Sequence, residues 1–187
     1  MTGILFMLSA LLVACDQFSK FLAVKYLAGQ SAFVIWDGVL ELRYCENTGV
    51  AFSMLENQRW IFIPLTLVVM LLVAVILLRS ELCRYKLFGL SAALILAGGA
   101  GNLIDRIVMG YVTDFIYVKI IDFPIFNFAD CCVTVGAVLL FVFFLFVYRE
   151  KEEKPLRTLL FGIPTHAKKA EGSDHAAGDD EKLDNDG

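Results

Sequence analysis

Three stretches of this chain carry no charged residue over eighteen positions each: Ile61–Leu78, Leu87–Ile104 and Cys131–Tyr148. A helix rises 1.5 Å per residue, so each is long enough to cross roughly 30 Å of hydrocarbon. In lipid every backbone N–H and C=O must be satisfied within the segment or its partners, so such stretches fold as helices. A fourth apolar run starts at the N-terminus. Met1–Cys15 is uncharged, and the pattern continues to Tyr26 with Asp16, Gln17, Lys20 and Lys25 interspersed. Leu12-Val13-Ala14-Cys15 resembles a cleavage box, but no Lys or Arg precedes it, and Asp16 and Lys20 continue in helical register. We read it as a spanning helix that is polar on one side.

These segments predict an all-α membrane bundle of four transmembrane helices, at about 4–26, 61–78, 87–106 and 130–148. Composition agrees: 58% of the 187 residues are apolar and 19% are charged, against a usual apolar share of 45–50%. Residues 1–150 form one membrane unit. Residues 151–187 form a cytoplasmic tail; its last seventeen residues, from Glu171, are acidic and poor in large apolar groups, which predicts disorder.

Lys and Arg concentrate on the cytoplasmic side of membrane proteins. Arg79, Arg84 and Lys86 follow the second span, and Arg149, Lys151, Lys154 and Arg157 follow the fourth. Both clusters and both termini are therefore expected in the cytoplasm. Ala28–Trp60 and Met109–Ala129 then face outward. In the first of these, Phe33–Trp36 and Val39–Tyr44 flank Asp37-Gly38, a two-residue hairpin signal. Alternation places Leu40, Leu42 and Tyr44 on one face, opposite Glu41 and Arg43. In the second, Val112, Asp114, Ile116 and Val118 share a side. A small extracytoplasmic antiparallel β platform on the bundle is expected.

With this topology the polar residues gather at one membrane face: Asp16, Lys20, Asn47, Asn102, Asp105, Arg106, Asp114, Asn127 and Asp130. Ionisable groups at membrane depth are costly and mark function. Asp114 and Asp130 are the best pair for catalysis, because two close carboxylates share a proton and act as acid and base on water and a carbonyl. The residues alone leave open that Asp130 caps the fourth span. Asp16 and Lys20, four apart, can pair on one helix face, as an ion pair or in binding. Asp105 and Arg106 suit anchoring of the third span, and Arg106 also suits neutralising a carboxylate. Asp122, before Phe123-Pro124, reads as a turn residue. Gly98-Gly99-Ala100-Gly101 lacks a preceding strand and reads as close helix packing, not a nucleotide loop.

Five cysteines follow neither a disulfide nor a zinc spacing, and both histidines, His166 and His175, lie in the tail. No metal, no other cofactor and no nucleic acid is expected. A proton-coupled carrier would place polar residues at both faces or show inverted repeats, and neither is seen. An assembly factor would not need both aspartates.

Five blocks in order resemble the motifs of bacterial lipoprotein signal peptidase, or signal peptidase II: Asp16-Gln17-Phe18-Ser19-Lys20; Asn47-Thr48-Gly49-Val50-Ala51-Phe52; Gly98-Gly99-Ala100-Gly101-Asn102-Leu103-Ile104-Asp105-Arg106; Val112-Thr113-Asp114-Phe115; and Phe126-Asn127-Phe128-Ala129-Asp130. The resemblance runs from about Met1 to Arg149. It implies a monomeric four-span aspartic endopeptidase of the bacterial inner membrane, set among membrane lipids. Its substrates would be diacylglyceryl-modified prolipoproteins, cut just before the modified cysteine. By motif position Asp114 and Asp130 match the catalytic aspartates. Asp16, Lys20, Asn47, Gly49, Asn102, Asp105, Arg106 and Asn127 match blocks that bind substrate or support the site. The platform's apolar rows would hold the signal peptide, and a loop around Asn47–Phe52 would close over it.

Overall fold

The computed structural model describes residues 2–49, 59–79, 82 and 85–148. Four helices form the body: α1 (Thr2–Leu27), α2 (Arg59–Arg79), α3 (Lys86–Val108) and α4 (Phe128–Val142), which continues as a π-helical turn over Phe143–Tyr148. Three of them, α1, α3 and α4 with its extension, are long and apolar enough to cross a membrane, and α2 contributes a shorter apolar stretch from Ile63 to Arg79. The bounds lie close to those expected from charge-free runs. The inner basic loop around Arg84, the second half of the expected closing loop and the tail fall outside the described residues.

Burial in this bundle is inverted relative to a water-soluble protein. Met7, Phe18, Leu71, Val108 and Phe141 are exposed, whereas Asp16, Lys20, Asp105, Asp114 and Asn127 are buried. Apolar side chains face outward because lipid is their solvent, and charged groups turn inward because lipid cannot solvate them. Glycine lets the helices approach. A Cβ on Gly98 would overlap the Ala129 carbonyl of α4, and one on Gly101 would overlap the Asp16 carboxylate of α1. At the other end, Leu77, Leu82, Phe88, Ala92, Leu96 and Phe143 form an apolar core, with the Phe143 ring tilted or edge-on against Tyr85, Phe88 and Phe144.

The platform is a three-stranded antiparallel sheet of β1 (Phe33–Trp36), β2 (Leu40–Asn47) and β3 (Val112–Val118), in that order. Asp37-Gly38 does make the turn: Val39 N–H donates to the Trp36 carbonyl at 3.0 Å, and Gly38 takes φ +71°. However, Trp36 pairs with Leu40, after a register shift from the Val34–Glu41 pair. The hairpin is thus one residue longer than the two-residue loop expected. The Val39 carbonyl is taken instead by the N–H of Lys119, at 2.8 Å.

A second irregularity corrects the expected faces of β2. Leu42 pairs with Ile116 but Cys45 with Asp114, so three residue steps on β2 match two on β3. This bulge inverts the alternation. Tyr44 leaves the face of Leu40 and Leu42, while Cys45 and Asn47 join it. Beyond β3, Phe126 exchanges hydrogen bonds with Ile116 at 2.8 and 3.0 Å. That bridge brings the chain directly from the sheet into the start of α4. Between them Asp122 holds a left-handed φ of 47° and accepts from the Tyr117 hydroxyl at 2.6 Å, as a turn residue does.

Candidate active site

Asp114 lies in β3, fully buried, and both its carboxylate oxygens accept from amides. Asn47 Nδ2 donates to Oδ2 at 2.8 Å and Asn127 Nδ2 donates to Oδ1 at 2.6 Å. The β2 bulge makes the first contact possible, because in regular register Asn47 would point through the opposite face. Asn47 is itself oriented: its Oδ1 accepts from the Gly49 N–H at 3.0 Å, leaving Nδ2 for the carboxylate.

Asp130 lies in the first turn of α4. Its Oδ2 accepts from the Asn127 N–H at 3.1 Å, and its own N–H donates to Asn127 Oδ1 at 3.0 Å. This is a reciprocal capping box. The capping alternative left open by the sequence is therefore real, yet it occupies one oxygen only. Asp130 Oδ1 accepts from Asn102 Nδ2 at 2.8 Å.

Asn102 and Asn127 join the two aspartates. Asn127 Nδ2 reaches Asn102 Oδ1 at 3.1 Å as well as Asp114. Lys20 Nζ donates to the same Asn102 oxygen at 2.9 Å. With its oxygen facing two donors, the Asn102 amide must direct its nitrogen at Asp130. A continuous line of hydrogen bonds thus runs from Lys20 through both asparagines to both aspartates.

Behind this line Lys20 pairs with Asp16 at 2.9 Å and with Asp105 at 3.0 Å, all three side chains buried. The pairing of Asp16 and Lys20 on one helix face follows the i, i+4 expectation. Gln17 went unassigned in the sequence, although it sits inside the first motif. Its Nε2 donates to Asp105 Oδ1 at 3.0 Å and to Asp16 Oδ2 and the Gly101 carbonyl, each at 3.2 Å. Only its place between Asp16 and Lys20 hinted at this.

The two aspartates share one cavity of about 530 Å³, with Asn47, Gly49, Arg106, Phe123–Phe126, Cys131, Thr134 and Val135 also in its wall. Arg106 donates to the Asn102 carbonyl at 3.3 Å and borders the same space. The apolar wall from Phe123 to Phe126 was not singled out in the sequence. Burial is the main reason that the Asp114 carboxyl is pushed up to about 6. The amides of Asn47 and Asn127 pull it down, and the charge of Asp130 raises it. Among the described residues no group of three or more His, Cys, Asp or Glu is arranged to hold a metal.

Residues 8–146 match the family model of signal peptidase II. The lipoprotein signal peptidase of Brevibacillus brevis is 40% identical over 136 residues, which cover 72% of this chain and 90% of that protein. The one from Streptococcus pyogenes serotype M1 is 41% identical over 140 residues, covering 74% and 91%. A bacterial membrane enzyme solved by the in meso method at 2.3 Å superposes with a TM-score of 0.72 at 26% identity, over 82% of this chain and 94% of its own. Another, at 1.9 Å, gives 0.70 at 27% identity, over 77% and 94%. An intramembrane helical body, a three-stranded platform, two aspartates on one cavity and these matches converge: the chain belongs to the signal peptidase II family of aspartic peptidases.

Proposed function

We propose that Asp114 and Asp130 are the catalytic pair with which this lipoprotein signal peptidase cuts diacylglyceryl-modified prolipoproteins before the modified cysteine. The observation that carries this reading is their common cavity, with every carboxylate oxygen held by an amide donor. Water attacks the scissile carbonyl while one carboxylate takes its proton. The other carboxyl donates first to the carbonyl oxygen; as the C–N bond breaks, the leaving nitrogen takes the proton removed from water and the second carboxylate recovers its own from the hydroxyl. Asp114, held protonated up to about pH 6, suits the acid role in the first step. Asn47, Asn102 and Asn127 orient the pair, and Arg106 balances negative charge at the cavity wall. Gly49 orients Asn47 through its N–H and lines the cavity.

The location serves both halves of the substrate. Acyl chains stay in lipid beside the exposed apolar faces, while the scissile bond meets water at the platform. We place the site at the outer face of the bacterial inner membrane, with four spans, cytoplasmic termini and a monomeric working unit. The basic clusters after the second and fourth spans support this sidedness.

Purified Asp114→Asn and Asp130→Asn should each lose cleavage of a lipidated prolipoprotein by at least about 1,000-fold, the order reached when a general acid or base is removed. Both should remain folded and inserted. Turnover within tenfold of wild type in either variant, on the same substrate, would remove the pair from the mechanism.

A further inference from the structure

Asp16 and Asp105 reach two backbone donors that stand in the same relation to the aspartate pair. Asp16 Oδ1 accepts from the N–H of Ala129 at 2.9 Å, and Ala129 immediately precedes Asp130. Asp105 Oδ2 accepts from the N–H of Thr113 at 3.0 Å, and Thr113 immediately precedes Asp114. Lys20 joins these carboxylates, at 2.9 Å from Asp16 Oδ2 and 3.0 Å from Asp105 Oδ2. Its third donor goes to Asn102 Oδ1 at 2.9 Å. An ammonium has three donors, so all of its capacity is committed here. The three residues are 1%, 3% and 1% exposed, in the order Asp16, Lys20, Asp105.

We infer that Asp16, Lys20 and Asp105 are positioning residues that set the spacing of the two catalytic carboxylates by clamping the peptide in front of each. The inference rests on the aspartate-pair reading. A shared proton and an activated water demand contacts of about 2.6–3.2 Å, and a misplacement near 1 Å costs on the order of 100-fold in rate. Asp114 and Asp130 sit on a strand and a helix, which are otherwise joined near Phe126 and Asn127. One ammonium with a carboxylate on either side gives the two peptides a common reference. Burial alone could be met by apolar residues of similar volume, often at no cost in stability. What such residues cannot supply is an acceptor aimed at each N–H.

Asp105 gives the cleanest test. The cluster holds two carboxylates and one ammonium, so removing Asp105 leaves a balanced Lys20–Asp16 pair. Asp105→Asn keeps an oxygen for Thr113 N–H and Lys20, and Gln17 can turn its amide oxygen toward the new NH₂ group. Asp105→Ala keeps neither. We would measure kcat and KM on a lipidated prolipoprotein, with amide hydrogen exchange at Thr113 in the same samples. Asp105→Asn should hold kcat within about tenfold of wild type and keep the Thr113 amide protected. Asp105→Ala should lower kcat on the order of 100-fold, with KM within about threefold and Thr113 exchange at least about tenfold faster. Equal kcat in the two variants would overturn the clamp and leave at most a role for charge. So would a large fall in kcat for Asp105→Asn with Thr113 still protected. If Asp105→Ala does not fold, the Asp105→Asn result alone decides. The aspartate pair is judged separately: loss of cleavage in Asp114→Asn with full activity in Asp105→Ala would sink the clamp and leave the pair standing.

Discussion

Asp114 is held where ionisation works against folding. Burial raises its carboxyl from 3.8 to about 6, and a raised carboxylate keeps its proton in the fold longer than in the unfolded chain. The corresponding stability is present below about pH 4 and is lost as the pH rises through 6; above that, ionised Asp114 subtracts up to about 3 kcal/mol. Asp114→Asn, which cannot ionise, escapes this loss. Measured by thermal unfolding in detergent at pH 4 and pH 8, the variant should gain on wild type as the pH rises. A gap between the two proteins that stays constant across this range would show that Asp114 is not ionised at a cost in the fold. A site that is less stable than it needs to be, for the sake of a titrating acid, is common in enzymes.

At the scale of elements, the site depends on how closely α1, α3 and α4 meet. Gly101 faces the Asp16 carboxylate, which is fixed by Ala129 N–H and Lys20, so an added Cβ there has nothing soft to displace. Gly99 faces the side chain of Met70 at 3.2 Å, which can yield, and the Thr66 methyl at an ordinary 3.9 Å. The same chemical change should therefore have opposite results. Gly101→Ala is expected to destabilise by about 1–3 kcal/mol, as overpacking does, and to impair cleavage. Gly99→Ala should be neutral or gain up to about 1 kcal/mol from helix propensity. Melting temperatures in one detergent check both, and equal effects would mean that the α1–α3 contact is less rigid than drawn. The β2 bulge belongs to this scale too. It carries no recognisable signal in Leu42-Arg43-Tyr44-Cys45, yet it decides which side of the sheet Asn47 serves.

For the whole molecule, the inverted burial turns the apolar faces of the body toward lipid, and the basic clusters set the sidedness to be tested. In a background without the native cysteines, a thiol introduced at Gly38 or Lys119 should react from outside with a probe that cannot cross the membrane. One at Glu81 or Glu153 should react only after the membrane is breached. The basic clusters near Arg79 and Lys151 motivate this pattern. Inverted labelling would put the platform and the aspartates in the cytoplasm, away from an emerging lipidated precursor, and the proposed function would fail with the topology. Labelling of positions 38 and 119 from opposite sides would mean a different number of spans between them.

The helices, the membrane environment and the platform strands were legible because each depends on local pattern. Charge-free runs set the helices, alternation set the strands, and Asp37-Gly38 set the turn. The polar residues that meet at the site were also legible as a set, since charged groups in apolar segments stand out whatever the fold. Their partners were not. That Asn102 serves Asp130, that Asn47 serves Asp114 and that Gln17 reaches Asp105 are decided by contacts between residues 28 to 88 positions apart. Such pairings depend on helix approach, on a one-residue bulge and on where backbone N–H groups point. Periodicity sets the face of a residue only while the register holds, and only the packed structure fixes where it breaks and which donor waits opposite.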